Sequence, residues 1–384
     1  MISPRWFISF ASLMVLAACG DRAPSATPLP TWTLREEWRV GGEAEGPHSF
    51  DANFGVAMLP GDTLIHFDYQ DQRFHLLDRN GQPVRSFGRK GTGPGELADA
   101  NGFVVTQSGL IIAHDRGTHR LSRFDAAGRA LGSVVVPSEY RPGVRWDAQT
   151  LDDGRLLERY ATIVDSLGTG VWFDRARLWA TDLASSEEVK RDSCMVSHRP
   201  AGGQTNIATM TGPNAAIGLL PLPFSGPWFA TAVDPAGFIW AQSARGSSVL
   251  KKFPIGQCAP VAQLTLSAET PAIPAPVRDS ARAALARFPA AAGDALPKDL
   301  VLPDRFPPFF TLHVDDQHRL WVQRFGPGGE QVMEVFDSAG VAVARVDNFP
   351  LNARWPLLFR QGRVYGFVAD ESGVKHLVAL AIQQ

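Results

Sequence analysis

Along most of the chain the apolar positions come in short runs closed by Asp, Gly, Asn or Ser, which reads as strands and tight turns. The clearest stretch is 103–136. Phe103 to Thr106 is a short apolar strand, Ser108-Gly109 a turn, and Leu110 to His114 a second apolar run. Asp115-Arg116-Gly117-Thr118 has turn chemistry, because Asp can bond nearby backbone and Gly accepts a positive φ. Leu121 and Arg123 alternate with Ser122 and Phe124, as a half-buried strand does. Asp125-Ala126-Ala127-Gly128 makes a further turn, and a weaker outer strand runs from Arg129 to Val136. Together these are four short antiparallel strands joined by three turns.

This unit repeats. Asp68 and Asp115, Arg73 and Arg120, Asp78 and Asp125, and Gly81 and Gly128 all lie at one offset of 47 residues. That period suits the blade of a β-propeller. Fainter copies occupy 144–183, 232–253, 312–340 and 357–382. The expected fold is therefore all-β: a six-bladed β-propeller of four-stranded antiparallel blades, occupying 32–384, with one short helical insertion. Trp32 to Val40 has no blade of its own, and we expect it to join the last blade and close the ring, removing an open sheet edge. Two segments break the period. Residues 190–228 are rich in Gly, Pro and Asn and read as an extended loop, although they are long enough to hide a degraded seventh blade. Residues 267–308 contain Val277, Ala281, Ala284, Leu285 and Phe288 on one helical face, which predicts a short amphipathic helix.

The first residues follow another pattern. Met1 to Arg5 carries one positive charge, an apolar run extends from Trp6 to Ala18, and Cys19-Gly20 follows. The run falls short of the ~20 residues that span a bilayer, and reads as a secretory signal, 1–18, ending in small residues. Leu16-Ala17-Ala18-Cys19 resembles the bacterial lipobox. That resemblance implies cleavage before Cys19, a diacylglycerol on its thiol and acylation of the new amino group. Gly20 in place of Asp after the cysteine implies the outer membrane, facing the periplasm, in a cell with two membranes. Residues 19–31 then form a lipidated cysteine and a Pro-rich tether.

Composition narrows the function classes. With 37 Lys and Arg against 39 Asp and Glu, there is no basic footprint for nucleic acid. Besides Cys19, the chain has Cys194 and Cys258. In an oxidising compartment they could form a disulfide, or they could remain two buried thiols.

The segment Gly91-Thr92-Gly93-Pro94-Gly95-Glu96-Leu97, followed by Gly109 to Asp115, Arg120 to Asp125 and Gly128, resembles the NHL repeat. Asn101 stands where that repeat usually opens its inner strand with Pro, and Ile111 where the second strand usually carries an aromatic residue. The first blade matches more loosely, with His66 in an apolar position. The resemblance implies a fold more than a function.

Candidate chemistry is sparse. Asp68 and Asp115 recur once per blade, so they read as turn caps; Arg73 and Arg120 read as partners for a neighbouring blade's carboxylate. Gly91 to Leu97 lacks the spacing of a phosphate-binding loop and reads as an inter-blade turn. His66, His114, His119 and His313 are scattered; with Asp234 and Asp315, His313 is the first suspect for a metal in the central channel, although both Asp residues also fit ordinary hairpin turns. Trp240 and Trp321 match each other and read as inter-blade packing, while Trp228 and Trp355 are freer to touch a carbohydrate or peptide. No catalytic residue, resident metal or cofactor is assigned. The reading is a membrane-anchored binding or scaffold module for a protein, peptide or glycan. The alternative is a metal-dependent lyase or lactone hydrolase with its site in the channel.

Overall fold

The computed structural model describes residues 29–50, 53–136, 146–164, 171–189, 207–211, 217–221, 224, 231–243, 247–267, 269–286, 302–351 and 357–384. Six four-stranded antiparallel sheets form the blades of a propeller. Blade 1 is Asn53–Leu59, Thr63–Asp68, Arg73–Leu77 and Pro83–Phe87; blade 2 is Ala100–Val105, Ile111–Asp115, Arg120–Phe124 and Ala130–Val135. Blade 3 is Asp147–Thr150, Leu156–Val164, Val171–Trp179 and Ser186–Val189; blade 4 is Thr231–Asp234, Phe238–Gln242, Val249–Pro254 and Ala262–Thr265. Blade 5 is Thr311–Val314, Leu320–Phe325, Gln331–Phe336 and Ala342–Val346. Blade 6 takes Leu358–Arg360, Arg363–Ala369 and Lys375–Gln383 from the chain's end, and its outer strand, Thr33–Gly41, from near the start. Thr33 pairs with Gln383 and Gly41 with His376, so the ring closes by backbone bonding between distant segments.

The second strands read as continuous apolar runs because both of their faces are covered. Ile111–Asp115 is buried at every position, while the outer strand Ala130–Val135 is exposed along most of its length. The core is correspondingly divided into six seams, one per pair of neighbouring blades. Phe67, Phe74, Ile111 and Phe124 join blades 1 and 2; Trp240, Phe309 and Leu320 join blades 4 and 5. Trp32, Trp321, Phe359 and Val364 join blades 5 and 6. Trp240 and Trp321 are thus seam residues, as the matching copies predict. Each such side chain contributes roughly 1.5–3 kcal/mol of burial.

The repeated Asp-x-x-Gly elements are hairpin turns. Asp78 Oδ1 accepts the amides of Asn80 and Gln82, both at 2.8 Å, and Asp125 Oδ1 accepts that of Arg129 at 2.8 Å. Gly81 and Gly128 sit at φ +80°, the left-handed region that a side chain resists.

Of the two departures from the period, the first is more structured than the loop expected there, and the second carries the expected helix. The first contains a hairpin, Ile207–Thr211 paired with Ile217–Pro221, a separate two-stranded sheet rather than a seventh blade among the described residues. A run with this Gly and Pro content still forms strands where two short apolar stretches can pair. The second contains one helix, Ala275–Ala286. Leu285 is buried and Val277 and Ala281 half-buried as the periodicity predicts, but Ala284 is exposed, and Phe288 lies outside the described residues. So do the signal segment, Cys19, Cys194, Trp228 and Trp355. Cys258 is disulfide-bonded.

Candidate functional site

Antiparallel blades give the disc two unlike faces. On one, the first strand of each blade turns into the second and, in blades 1 to 5, the third into the fourth; these links are all short. On the other, the second strand turns into the third, and the fourth connects to the next blade. Both insertions are such inter-blade connections, Val189 to Thr231 and Thr265 to Thr311, so both rise from the same face. The central hairpin of blade 3 extends there too. Its strands Leu156–Val164 and Val171–Trp179 pair along nine positions, whereas the inner strand covers only Leu156 to Arg159. We call this the insertion face and its opposite the turn face.

The insertions are tied to the disc and to each other. Arg324, from the second strand of blade 5, donates to the carbonyls of Pro308 at 3.0 Å and Ser267 at 2.9 Å, and pairs with Glu334 at 2.9 Å. One guanidinium thereby holds both ends of the helix-bearing insertion. Phe306 stacks on Phe325 at 4.2 Å between centroids and receives the edge of Phe224, from the first insertion, at 5.5 Å. Arg159 bridges blades 3 and 4 on this face, with Asp147 at 2.9 Å and the Thr231 hydroxyl at 2.6 Å. Between blades 1 and 2, Arg116 pairs with Asp99 at 2.7 Å and Tyr69 donates to the same carboxylate at 2.8 Å. The arginine and tyrosine donors hold the Asp99 carboxyl below its ordinary value.

The glycine-rich loop folds on itself. Glu96 accepts the Gly93 amide at 2.9 Å and the Arg89 guanidinium at 2.7 Å, and the Gly91 amide donates to Leu97 at 3.0 Å. The loop thus closes on its own glutamate between the last strand of blade 1 and the first of blade 2, as an inter-blade turn. Asp115 accepts the amides of Ala98 and Asp99 at 2.9 and 3.0 Å and that of Gly117 at 2.9 Å, so it caps its turn and fastens the preceding connection. Among the described residues, Arg73 and Arg120 do not reach a neighbouring carboxylate. They bond the outer strand side of their own blades, Gly88 O at 3.3 Å and Ser133 Oγ at 3.1 Å, because an outward strand position points along the sheet rim.

The first metal suspects do not come together. Asp234 and Asp315 close the first turns of blades 4 and 5, on the turn face. Asp315 accepts Arg319 at 2.7 Å and Trp321 Nε1 at 2.8 Å. In blade 4 the position matching Arg319 is Phe238. Asp234, fully buried, instead pairs with Lys252 at 2.8 Å and His318 at 2.7 Å. His313 sits in the blade 5–6 seam, its ring 5.7 Å from that of Phe359 and its Nε2 3.1 Å from Thr311 Oγ1. His119 is exposed at a left-handed turn position, φ +53°. No group of three His, Cys, Asp or Glu side chains is placed to hold a metal among the described residues.

Two buried polar clusters escape sequence reading. Glu158, fully buried, accepts the indole N–H of Trp146 and, at 2.9 Å, that of Trp179. His114 stacks on Trp146 at 5.6 Å and meets Asn101 Oδ1 at 2.7 Å, continuing the chain across blades 2 and 3. In the blade 1–6 seam, His66 stacks on His75 at 5.0 Å; His66 bonds Pro47 O and His75 bonds Ser86 Oγ, each at 2.7 Å. Burial pushes His66 down to about 3 and His75 and His114 each down to about 4. A glutamate inside Leu156-Leu157-Glu158 is the only local sign of the first cluster.

Six blades closed by an N-terminal strand define the protein as a six-bladed β-propeller with an elaborated face. Solved structures agree on the fold. A member of the DUF4221 family from Bacteroides vulgatus superposes with a TM-score of 0.54 at 9% identity, covering 93% of this chain and 100% of its own. A protein from Bacteroides fragilis described as exported gives 0.52 at 12% identity over 91% and 96%. A gluconolactonase from Xanthomonas campestris matches at 0.44 and 15% identity over 92% and 99%, a likeness too loose to carry functional weight. No protein-family model and no curated protein matches the chain.

Proposed function

We propose that the protein is an exported lipoprotein, anchored through Cys19, whose propeller is a binding module for an envelope protein, peptide or glycan. The observation that carries the binding role is the convergence of both insertions and the long blade 3 hairpin on one face, where Phe224 meets Phe306. Long connections in compact domains tend to be functional loops. The lipobox-like Leu16 to Cys19 and a fold shared with an exported protein support the location. A disulfide at Cys258 fits an oxidising compartment, and Cys194 is the partner we assign to it.

Two experiments test this. Labelled palmitate should enter the protein and vanish in Cys19→Ser, which should leave the membrane fraction; unchanged fractionation and no label would refute the anchor. Replacing 270–305 with a short Gly-Ser link should leave the melting temperature within a few degrees while abolishing cross-linking to envelope partners. Cross-linking that survives this replacement would refute the role of the insertion.

A further inference from the structure

The N-terminal segment joins the disc at a definite place. Thr31 forms a parallel bridge with Arg345 of blade 5. Trp32 N donates to Arg345 O at 2.8 Å, and Arg345 N to Pro30 O at 2.9 Å. Trp32 is 8% exposed, its ring 5.9 Å from Trp321 with the Arg319 guanidinium 4.9 Å above it. Arg319 directly follows the first turn of blade 5. Thr33 then pairs with Gln383, and Ile382 N donates to Gly362 O in the first turn of blade 6 at 2.8 Å. The chain therefore enters the propeller at the rim of the turn face.

That face is a laced floor. Gln361 takes Asp316 through its amide at 2.7 Å and Asp62 through its side chain at 2.6 Å, linking blades 5, 6 and 1. His318 meets Asp234 across blades 5 and 4, and Gln107 donates to Asp152 at 3.0 Å across blades 2 and 3. Both insertions leave from the opposite side.

We propose that this point of attachment orients the disc, with the turn face towards the bilayer and the insertion face outward, towards partners in the aqueous compartment. The inference rests on lipidation of Cys19. Eleven residues separate Cys19 from Thr31. At full extension they reach ~36–40 Å, and a Pro-rich run of this length reaches about 34 Å. A blade strand is itself ~17–20 Å long. Bringing the insertion face to the bilayer would spend about half of that reach along the blade's height, whereas the turn face keeps all of it.

The test uses the full lipidated chain in phosphatidylcholine–phosphatidylglycerol vesicles with a headgroup-linked acceptor dye. Donor dyes are placed at Asn80→Cys, an exposed turn-face position, or Glu371→Cys, an exposed insertion-face position. Energy transfer at position 80 should be at least about twofold higher, given the ~17–20 Å blade height. Equal or reversed transfer overturns the orientation. Lengthening the tether with a Gly-Ser segment of similar length should shrink the difference; a difference that persists overturns attachment as its cause. Cys19→Ser protein that still floats with the vesicles overturns the anchor itself, whichever face is nearer.

Discussion

Acidification from pH 7 to 5 should cost this protein a large part of its stability, through three histidines. His66, His75 and His114 are all nearly inaccessible in the folded state, with affinities for a proton lowered to about 3, 4 and 4 from an ordinary 6.5. In the unfolded chain each accepts a proton below about pH 6.5; in the folded state each stays neutral until about pH 4 or lower. The unfolded state therefore binds more protons across that window, and stability falls as the pH drops through it. At pH 5 the unfolded chain gains about 2 kcal/mol per histidine, so roughly 5 kcal/mol is lost between pH 7 and 5. A domain holds only ~5–15 kcal/mol in total. Carboxylates held low by their partners, such as Asp99 and Asp370, act below this window, since their unfolded value is 3.8. Asp68, raised by burial, opposes the trend at its acid end. Urea titrations at half-unit pH steps would show the midpoint falling with a slope near three protons, about 4 kcal/mol per pH unit around pH 5 to 6. His114→Gln should remove one of the three, flattening the slope by roughly 1.4 kcal/mol per unit. A midpoint that is level from pH 7 to 5, or a slope untouched by His114→Gln, would refute the reasoning.

Other consequences are simpler to test. Lys252→Met leaves the fully buried Asp234 without its 2.8 Å cation; breaking such a pair costs about 3–5 kcal/mol in urea unfolding, and adding Asp234→Asn should recover part of it. Glu158→Gln keeps the shape but offers one acceptor oxygen to two indole donors, so one buried N–H is stranded at a cost of about 1–3 kcal/mol, readable in the midpoint and in tryptophan fluorescence. Gly128→Ala places a methyl group 2.6 Å from Phe87 Cδ1 at φ +80°, and calorimetry should record a melting temperature several degrees lower, whereas Gly237→Ala, at φ +95° but in open space, should cost less.

What could be read along the chain was whatever depends on residues close in sequence. Asp78 to Gly81 and Asp125 to Gly128 dictate their turns because the carboxylate, the amides it accepts and the positive-φ glycine lie within a few residues. The blade period, the lone N-terminal strand and the amphipathic helix follow from the same short-range rules. The tertiary structure decided which equivalent residues diverge. Asp234 and Asp315 occupy matching turns, yet one is drawn to Lys252 and His318 and the other to Arg319 and Trp321, because their neighbours differ: Phe238 stands where blade 5 has Arg319, and Lys252 pairs across from Trp240 where Val335 pairs across from Trp321. Likewise, His66 and His75 face each other across one hairpin, but the burial that keeps His66 neutral comes from Phe50, which Phe367 of the closing blade backs. The sidedness of the disc has the same origin. Insertions can be found in the sequence, but alternating strand direction is what sends both of them to one face and the entry of the N-terminal strand to the other, and pairing between residues as far apart as Thr33 and Gln383 is what closes the ring between those faces.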